Sequence, residues 1–302
     1  MYHRREFIGL AGAAILAAAC SRNSTGGDGG GRAVTIKHLF GSTTIPAPPT
    51  RVVSAGLTEQ DDLLAVGVIP VAVTNWFGDQ PLGVWPWAQQ KLGTARPALL
   101  NVDNGIQVDR IASLKPDLIV AVNAGLDADT YQKLSAIAPT IAQSGVDAFF
   151  EPWKDQARAV ARAVFKADEM DRLIDTVEAR FTSVGQANTA FKDRTAVLLP
   201  GRFSGDIETA TVHGWRTDFL AAMGFRTPDS LDGADVLIWA TESDADQADL
   251  LADPAVAALR ATRGDRNVFT GKDLAGAIGY ASPLSYPVVA EQLPPLLVRA
   301  LS

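Results

Sequence analysis

Trp153–Val184 reads WKDQARAVARAVFKADEMDRLIDTVEARFTSV, with Pro152 before it, Gly185 after it and neither residue type inside it. Ala157, Val160, Ala161, Val164 and Phe165, then Met170, Leu173, Ile174, Val177, Phe181 and Val184, recur at helical spacing. Charges such as Lys154, Arg158, Asp171, Asp175 and Arg180 fill most other positions. The spacing slips at Lys166-Ala167-Asp168-Glu169, which predicts two consecutive helices with Asp168 as N-cap of the second. At about 1.5 Å per residue the second helix, Asp168 to about Asn188, spans roughly 30 Å, the width of a small domain. An α/β unit is legible on each side. The pair is therefore an ordinary surface element or, more sharply, a strut joining two lobes around a ligand cleft.

Upstream, Ala33 to Ile45 alternates like a small hairpin with Gly41-Ser42 as its turn. Arg51-Val52-Val53-Ser54 reads as a buried strand. Thr58 with Asp61 resembles a capping box opening a helix that ends at Gly67, and Ile69 to Thr74 is a second strand, so a parallel crossover is expected. Asn75 to Leu100 is long for a connection and holds Trp76, Phe77, Trp85 and Trp87 among Gly78, Pro81, Gly83 and Pro86. Loops of this length in compact domains are usually functional, and this one should leave the C-terminal end of its strand, where α/β folds bind ligands. Its tryptophans either wall a ligand site or cover the sheet edge. Val108 to Lys115 is a helix, Asp117 to Val122 an apolar strand, Asp127 to Ile137 a helix and Thr140 to Ala142 a short strand.

Downstream, Thr195 to Leu199 and Ile207 to Val212 read as a hairpin. His213-Gly214-Trp215-Arg216 opens a helix to Met223, and Asp235 to Ala240 is a buried strand mirroring Leu118 to Val122. Ser243 caps a helix whose first turns hold Asp244, Asp246 and Asp249. Those acids suit the helix dipole better than a calcium loop, whose glycine and late glutamate are missing. Asp253-Pro254 starts another helix, Asn267 to Thr270 is a strand and Ser285 to Leu301 a closing helix.

The formal net charge of −7 argues against nucleic acid as a partner. A single cysteine, Cys20, excludes an internal disulfide, and His38 and His213 outside the leader cannot build a three-histidine metal site. Residues 1–19 carry Arg4-Arg5, an apolar run from Gly9 to Ala19 too short to span a bilayer, and Ala17-Ala18-Ala19 directly before Cys20. They resemble a twin-arginine signal peptide of the lipoprotein type, with Cys20 as the lipid-modified mature N-terminus. Residues 20–32, glycine-rich at their centre, form a flexible tether.

Arg51-Val52-Val53-Ser54, then Gly67-Val68-Ile69-Pro70-Val71-Ala72-Val73, then Ile106 through Leu114-Lys115-Pro116-Asp117-Leu118-Ile119-Val120 occur in a recognisable order. They resemble the substrate-binding proteins of ABC importers for iron–siderophores, haem and cobalamin, most closely the FecB-like lipoproteins, over about residues 33–302. The resemblance implies an α/β fold of the class III periplasmic-binding-protein kind. Two small lobes with mostly parallel sheets, residues 33–150 and 191–302, would be joined by a long helix within 151–190. It also implies a monomeric binding protein rather than an enzyme, without permanent cofactor or metal, carrying a ferric siderophore or haem. It would sit at the outer face of the cytoplasmic membrane or in the periplasm, anchored at Cys20, and deliver its ligand to an ABC permease.

Candidate ligand contacts on that reading are Trp76, Trp85 and Trp87 from the first lobe and Arg202, His213, Trp215, Trp239 and Tyr280 from the second. His213 reads as a turn residue rather than a haem ligand. By motif position Asp109 in Val108-Asp109-Arg110-Ile111 carries over as the acidic residue that docks on the permease. The matching segment of the second lobe, residues 226–234, is short and leaves only Asp229 or Asp232 for that role. An envelope sensor or adaptor with the same fold is the alternative. A hydrolase using His213 and Asp218 lacks a positioned nucleophile.

Overall fold

Short runs that are apolar on both faces make the strands, and longer runs apolar on one face cover them. The computed structural model describes residues 33–146, 149–202 and 207–302, the side chains of 208 and 209 excepted. The leader, Cys20 and the tether through residue 32 lie outside the described residues. In the first lobe β1 (Val34–His38) and β2 (Gly41–Ile45) form an antiparallel hairpin. Its turn is Leu39-Phe40 rather than Gly41-Ser42, because Gly41 pairs with His38.

The chain continues through β3 (Val52–Ser54), α1 (Glu59–Ala65), β4 (Ala72–Thr74), α2 (Pro86–Leu92), β5 (Ala98–Leu100), α3 (Val108–Ser113), β6 (Leu118–Ala121), α4 (Ala128–Ser135) and β7 (Thr140–Ala142). The five strands form one parallel sheet in the order β5-β4-β3-β6-β7. The stretch from Asn75 to Leu100 is thus not a single loop. Pro86, pre-set for a first helical position, starts α2, and β5 pairs with β4.

The strut is two helices, α5 (Trp153–Ala163) and α6 (Ala167–Ala187). Phe165 has φ +61°, a left-handed step that breaks the run where the apolar spacing slips. The N-cap of α6 is Lys166, and Asp168 sits in the first turn, where the helix dipole favours a carboxylate. Gly185 does not end α6. It lies within it, facing the Met223 backbone so closely that a Cβ would come 2.7 Å from the Met223 carbonyl oxygen.

The second lobe runs β8 (Ala196–Pro200), α7 (Asp218–Ala222), β9 (Val236–Ala240), α8 (Asp244–Ala252), α9 (Pro254–Ala258), α10 (Arg260–Arg263), β10 (Asn267–Phe269), α11 (Lys272–Tyr280) and α12 (Tyr286–Leu301). Its sheet is parallel, ordered β10-β9-β8. Ile207–Ala210 is a 3-10 turn instead of a strand, and Gly214–Thr217 is another ahead of α7. Residues 226–234 hold only the 3-10 turn Leu231–Gly233, so the short segment does lack its helix. Ser243 and Asp246 form a reciprocal capping box at α8.

One apolar cluster runs from Val52 and Leu118 of the first sheet through Val160, Ile174 and Phe181 of the strut to Ile238 and Leu293 of the second lobe. The strut is therefore the shared core of both lobes. Val53, Ile119 and Leu134 fill the far side of the first sheet, and Leu237, Trp239 and Leu250 that of the second.

Candidate functional site

The chain leaves β4 as Asn75-Trp76-Phe77, β8 as Gly201-Arg202 and β9 as Thr241-Glu242. Trp76, Phe77, Pro200, Gly201, Arg202, Ala240 and Glu242, with Asp246 of α8 and Ala275 of α11, line a cavity of about 480 Å³. Strand ends of both sheets face it, the usual ligand position in α/β folds. Hollows of about 560 Å³ beside Leu198 and Phe225 and about 850 Å³ beside α3 are larger, but each belongs to one lobe only.

The wall on the first lobe is aromatic. Trp76 meets Phe77 edge-on at 4.4 Å between centroids and approaches Phe150 at 5.1 Å. Beneath them Trp85 and Trp87 stack at 4.9 Å, and Tyr280 packs 6.0 Å and 5.7 Å from the two. Trp85 and Tyr280 are buried, so they are floor and not ligand contacts as expected. Trp85 reaches under the second lobe because Gly276 of α11 has no side chain; a Cβ there would overlap its ring. Phe150 has φ +63°, and its N–H donates to Asn123 Oδ1 at 2.9 Å. Strain of this kind, held in place by its surroundings, concentrates at functional sites.

Under the floor the lobes are clasped by hydrogen bonds. Within the first lobe Trp87 Nε1 donates to Asp61 Oδ2 at 2.7 Å, and from the second lobe Ser282 Oγ donates to the same oxygen at 2.6 Å. Gln60 Nε2 donates to the Tyr280 hydroxyl at 3.1 Å. Asp61 is therefore no capping residue: Thr58 makes no side-chain cap bond, and the start of α1 is buried where its acids find distant partners. Glu59 accepts from the Asn123 N–H at 2.7 Å and Asp62 from Gln156 Nε2 at 2.8 Å. Burial pushes the Glu59 carboxyl up to about 7 and that of Asp61 up to about 6. Burial, with the neighbouring carboxylates adding to it, holds Asp62 well above the usual range.

The cations come from the second lobe. Arg202 places Nε and Nη2 each 2.6 Å from Asp246 Oδ1, whose other oxygen accepts from the Glu242 and Ser243 N–H groups at 3.0 Å. Burial works against the Asp246 charge, but Arg202 and these donors hold its carboxyl below the usual range. Arg216 lies 4.4 Å over the Phe150 ring and 4.9 Å from Trp215. It makes no ion pair among the described residues, and burial lowers its pKa.

Trp76 and Arg202 thus line the cleft, Trp87 is half-buried with its N–H on Asp61, and Trp215 stands beside Arg216. His213 is exposed at the start of a 3-10 turn. Trp239 is not in the cleft. It points to the far side of its sheet, wholly buried, and donates to Asn267 Oδ1 at 2.9 Å. Phe150, Arg216 and Asp61 escape the sequence reading. The juxtaposed Trp215-Arg216 was the available signal for one of them, and three acids within Glu59-Gln60-Asp61-Asp62, shortly after a buried strand, for another. Among the described residues no group of three His, Cys, Asp or Glu side chains is placed to hold a metal ion.

Residues 52–233 match the model of the family described as periplasmic binding protein. The chain belongs to that family. As a periplasmic binding protein it is similar to a putative ABC transporter substrate-binding lipoprotein, YhfQ, of Bacillus subtilis (30% identity over 72% of this chain and 66% of the relative). It is also similar to a probable siderophore-binding lipoprotein, YfiY, of the same organism (32% identity over 65% and 58%). The chain thus spans about two thirds or less of the length of these curated relatives. A crystal structure of a periplasmic solute binding protein from Mycobacterium smegmatis superposes with a TM-score of 0.86 at 62% identity, over 89% of this chain and 99% of that one.

Proposed function

We propose that this chain is an extracytoplasmic, non-enzymatic solute-binding protein that takes a ferric siderophore into the inter-lobe cleft and delivers it to an ABC permease. The observation that carries the reading is the aromatic-walled cavity between opposed strand ends, with the Arg216 guanidinium over Phe150, which packs on the cavity-lining Trp76, and in no ion pair among the described residues. The names of the Bacillus subtilis relatives support it. Haem is the weaker reading, because His213 stands exposed at a turn and His38 is hydrogen-bonded to Thr43 in the β1–β2 hairpin. Lipid attachment at Cys20 would keep the protein at the outer face of the membrane.

The test is titration of the protein, followed by tryptophan emission and absorption, with ferrichrome, ferric citrate and haem. Quenching by a ferric siderophore is expected. A Soret band with haem and no response to any ferric chelate overturns the reading. Trp76→Ala should weaken binding by more than about 1 kcal/mol, the scale of an aromatic contact beyond its buried area. Full affinity in that folded variant removes Trp76 from the site.

Permease docking belongs to the same reading. Asp109 is exposed in the first turn of α3, whereas Asp232 already accepts the Arg260 N–H at 2.8 Å. Asp109→Ala should slow uptake with ligand affinity intact, and Asp229→Ala and Asp232→Ala should do less. Wild-type transport by Asp109→Ala at low and physiological salt would leave the residue only its role at the helix dipole.

A further inference from the structure

The charges of the cleft carry information about the ligand that its aromatic wall does not. Arg202 is spent on Asp246. Glu242 adds an exposed carboxylate to the cavity lining and makes no ion pair among the described residues. Arg216 is the cation left over, held among the described residues by the ring faces of Phe150 and Trp215. Arg202 against Asp246 and Glu242 leaves the cavity lining with one net negative charge, and Arg216, one ring away through Phe150, offsets it. Such a site has one strong point for an anion and no surplus for a second or third.

Resting on the siderophore reading above, we infer that the cleft selects a ferric chelate of zero or single negative charge, in which one anionic group meets Arg216. Polyanionic chelates are rejected. A neutral tris-hydroxamate core with at most one free carboxylate has this chemistry; a ferric tris-catecholate, carrying three negative charges, does not. The guanidinium is partly desolvated and stacked in advance, so an incoming carboxylate gains a charge-assisted bond without breaking an existing ion pair. Each further negative charge would lose hydration without a partner and would meet the Glu242 carboxylate of the cavity lining.

The probes are acetylated ferrioxamine B, which is neutral, succinylated ferrioxamine B, which differs by one carboxylate, and ferric enterobactin, the trianion. Tryptophan quenching should rank the succinylated chelate first, about tenfold or more above the acetylated one, with the trianion weakest. Arg216→Gln should collapse the ratio between the two ferrioxamines to about one, and Arg216→Lys should keep part of it; a thermal melt confirms that both variants fold. Glu242→Gln should raise affinity for the trianion. If the trianion binds tightest, or the ferrioxamine ratio survives in Arg216→Gln, the inference is overturned while the siderophore function stands. If none of the three chelates binds, the inference falls, and the titration with ferrichrome and ferric citrate decides the siderophore reading separately.

Discussion

Gly185→Ala should destabilise the protein, against the usual rule for a glycine inside a helix. An ordinary Gly-to-Ala change in a helix gains about 1 kcal/mol, because alanine gives up less backbone entropy on folding. Gly185 sits two residues before the end of α6, facing the Met223 backbone at the end of α7. A Cβ would lie 2.7 Å from the Met223 carbonyl oxygen and 2.8 Å from its carbon. Backbone cannot rotate aside as a flexible side chain can, so α6 and α7 must separate. Phe181 of α6 and Phe219 of α7, 5.7 Å apart and packed on Tyr286, would separate with them. Overpacking of this order costs about 1–3 kcal/mol, enough to reverse the helix gain for alanine and to reach about 3 kcal/mol for Gly185→Leu. Urea midpoints at constant slope would measure both. An alanine variant as stable as the parent would mean that the two helices are not in contact there.

The second large effect is on pH. Glu59 moves from an ordinary 4.5 up to about 7 and Asp61 from 3.8 up to about 6, and Asp62 moves the same way. Between the two values of each group the folded protein keeps a proton that the unfolded chain has released. Stability is therefore highest below the unfolded values and is lost as pH rises to about 7. At about 1.4 kcal/mol per pH unit the Glu59 carboxyl alone accounts for a loss on the order of 3 kcal/mol, and Asp61 and Asp62, coupled to it, add in the same direction.

Asp117, Asp235 and Asp246 are held below their ordinary value, so their contribution disappears only in stronger acid, outside this window. His38, lowered by burial, opposes the trend near its ordinary 6.5, one group against three. Melting temperatures should thus be higher at pH 5 than at pH 8. Asp62→Asn can still accept from Gln156, and it should stabilise the protein at pH 8, lose that advantage near pH 4.5 and flatten the profile. Stability that rises from pH 5 to pH 8 would show that the acids stay ionised in the fold.

The strut and the central strands are legible in the sequence because their signals are local and periodic. Leu118–Ala121 and Val236–Ala240 are apolar on both faces, and the α5–α6 break falls where the spacing slips. β5 escapes because three residues of Ala-Leu-Leu carry no pattern of their own, and α11 because Gly276 and Gly279 dilute a helical signal. Trp239 shows a different gap. Alternation along β9 separates Val236 and Ile238 from Leu237 and Trp239, but only the packed layers decide which set faces the strut. Asp61 meets Trp87 and Ser282, and Arg216 meets Phe150, across separations where the chain carries no local trace of the pairing.

The burial of Trp85 against Gly276 bears on how a permease would recognise a loaded protein. Opening the lobes like a book would drag an indole from beneath a helix and break the bonds that join Ser282 to Asp61 and Gln60 to Tyr280. On the proposed siderophore-binding reading the cleft would be set when the chain folds, and a ligand would meet walls already in place, with little reorganisation charged against its affinity. An empty molecule and a full one would present nearly the same outer faces. Any discrimination between them must then be read at the lips, where Trp76, Phe150 and Arg216 either stack on one another or yield to the cargo. In such a design the cargo itself, visible between the two lobes, would be the signal that the proposed carrier is occupied.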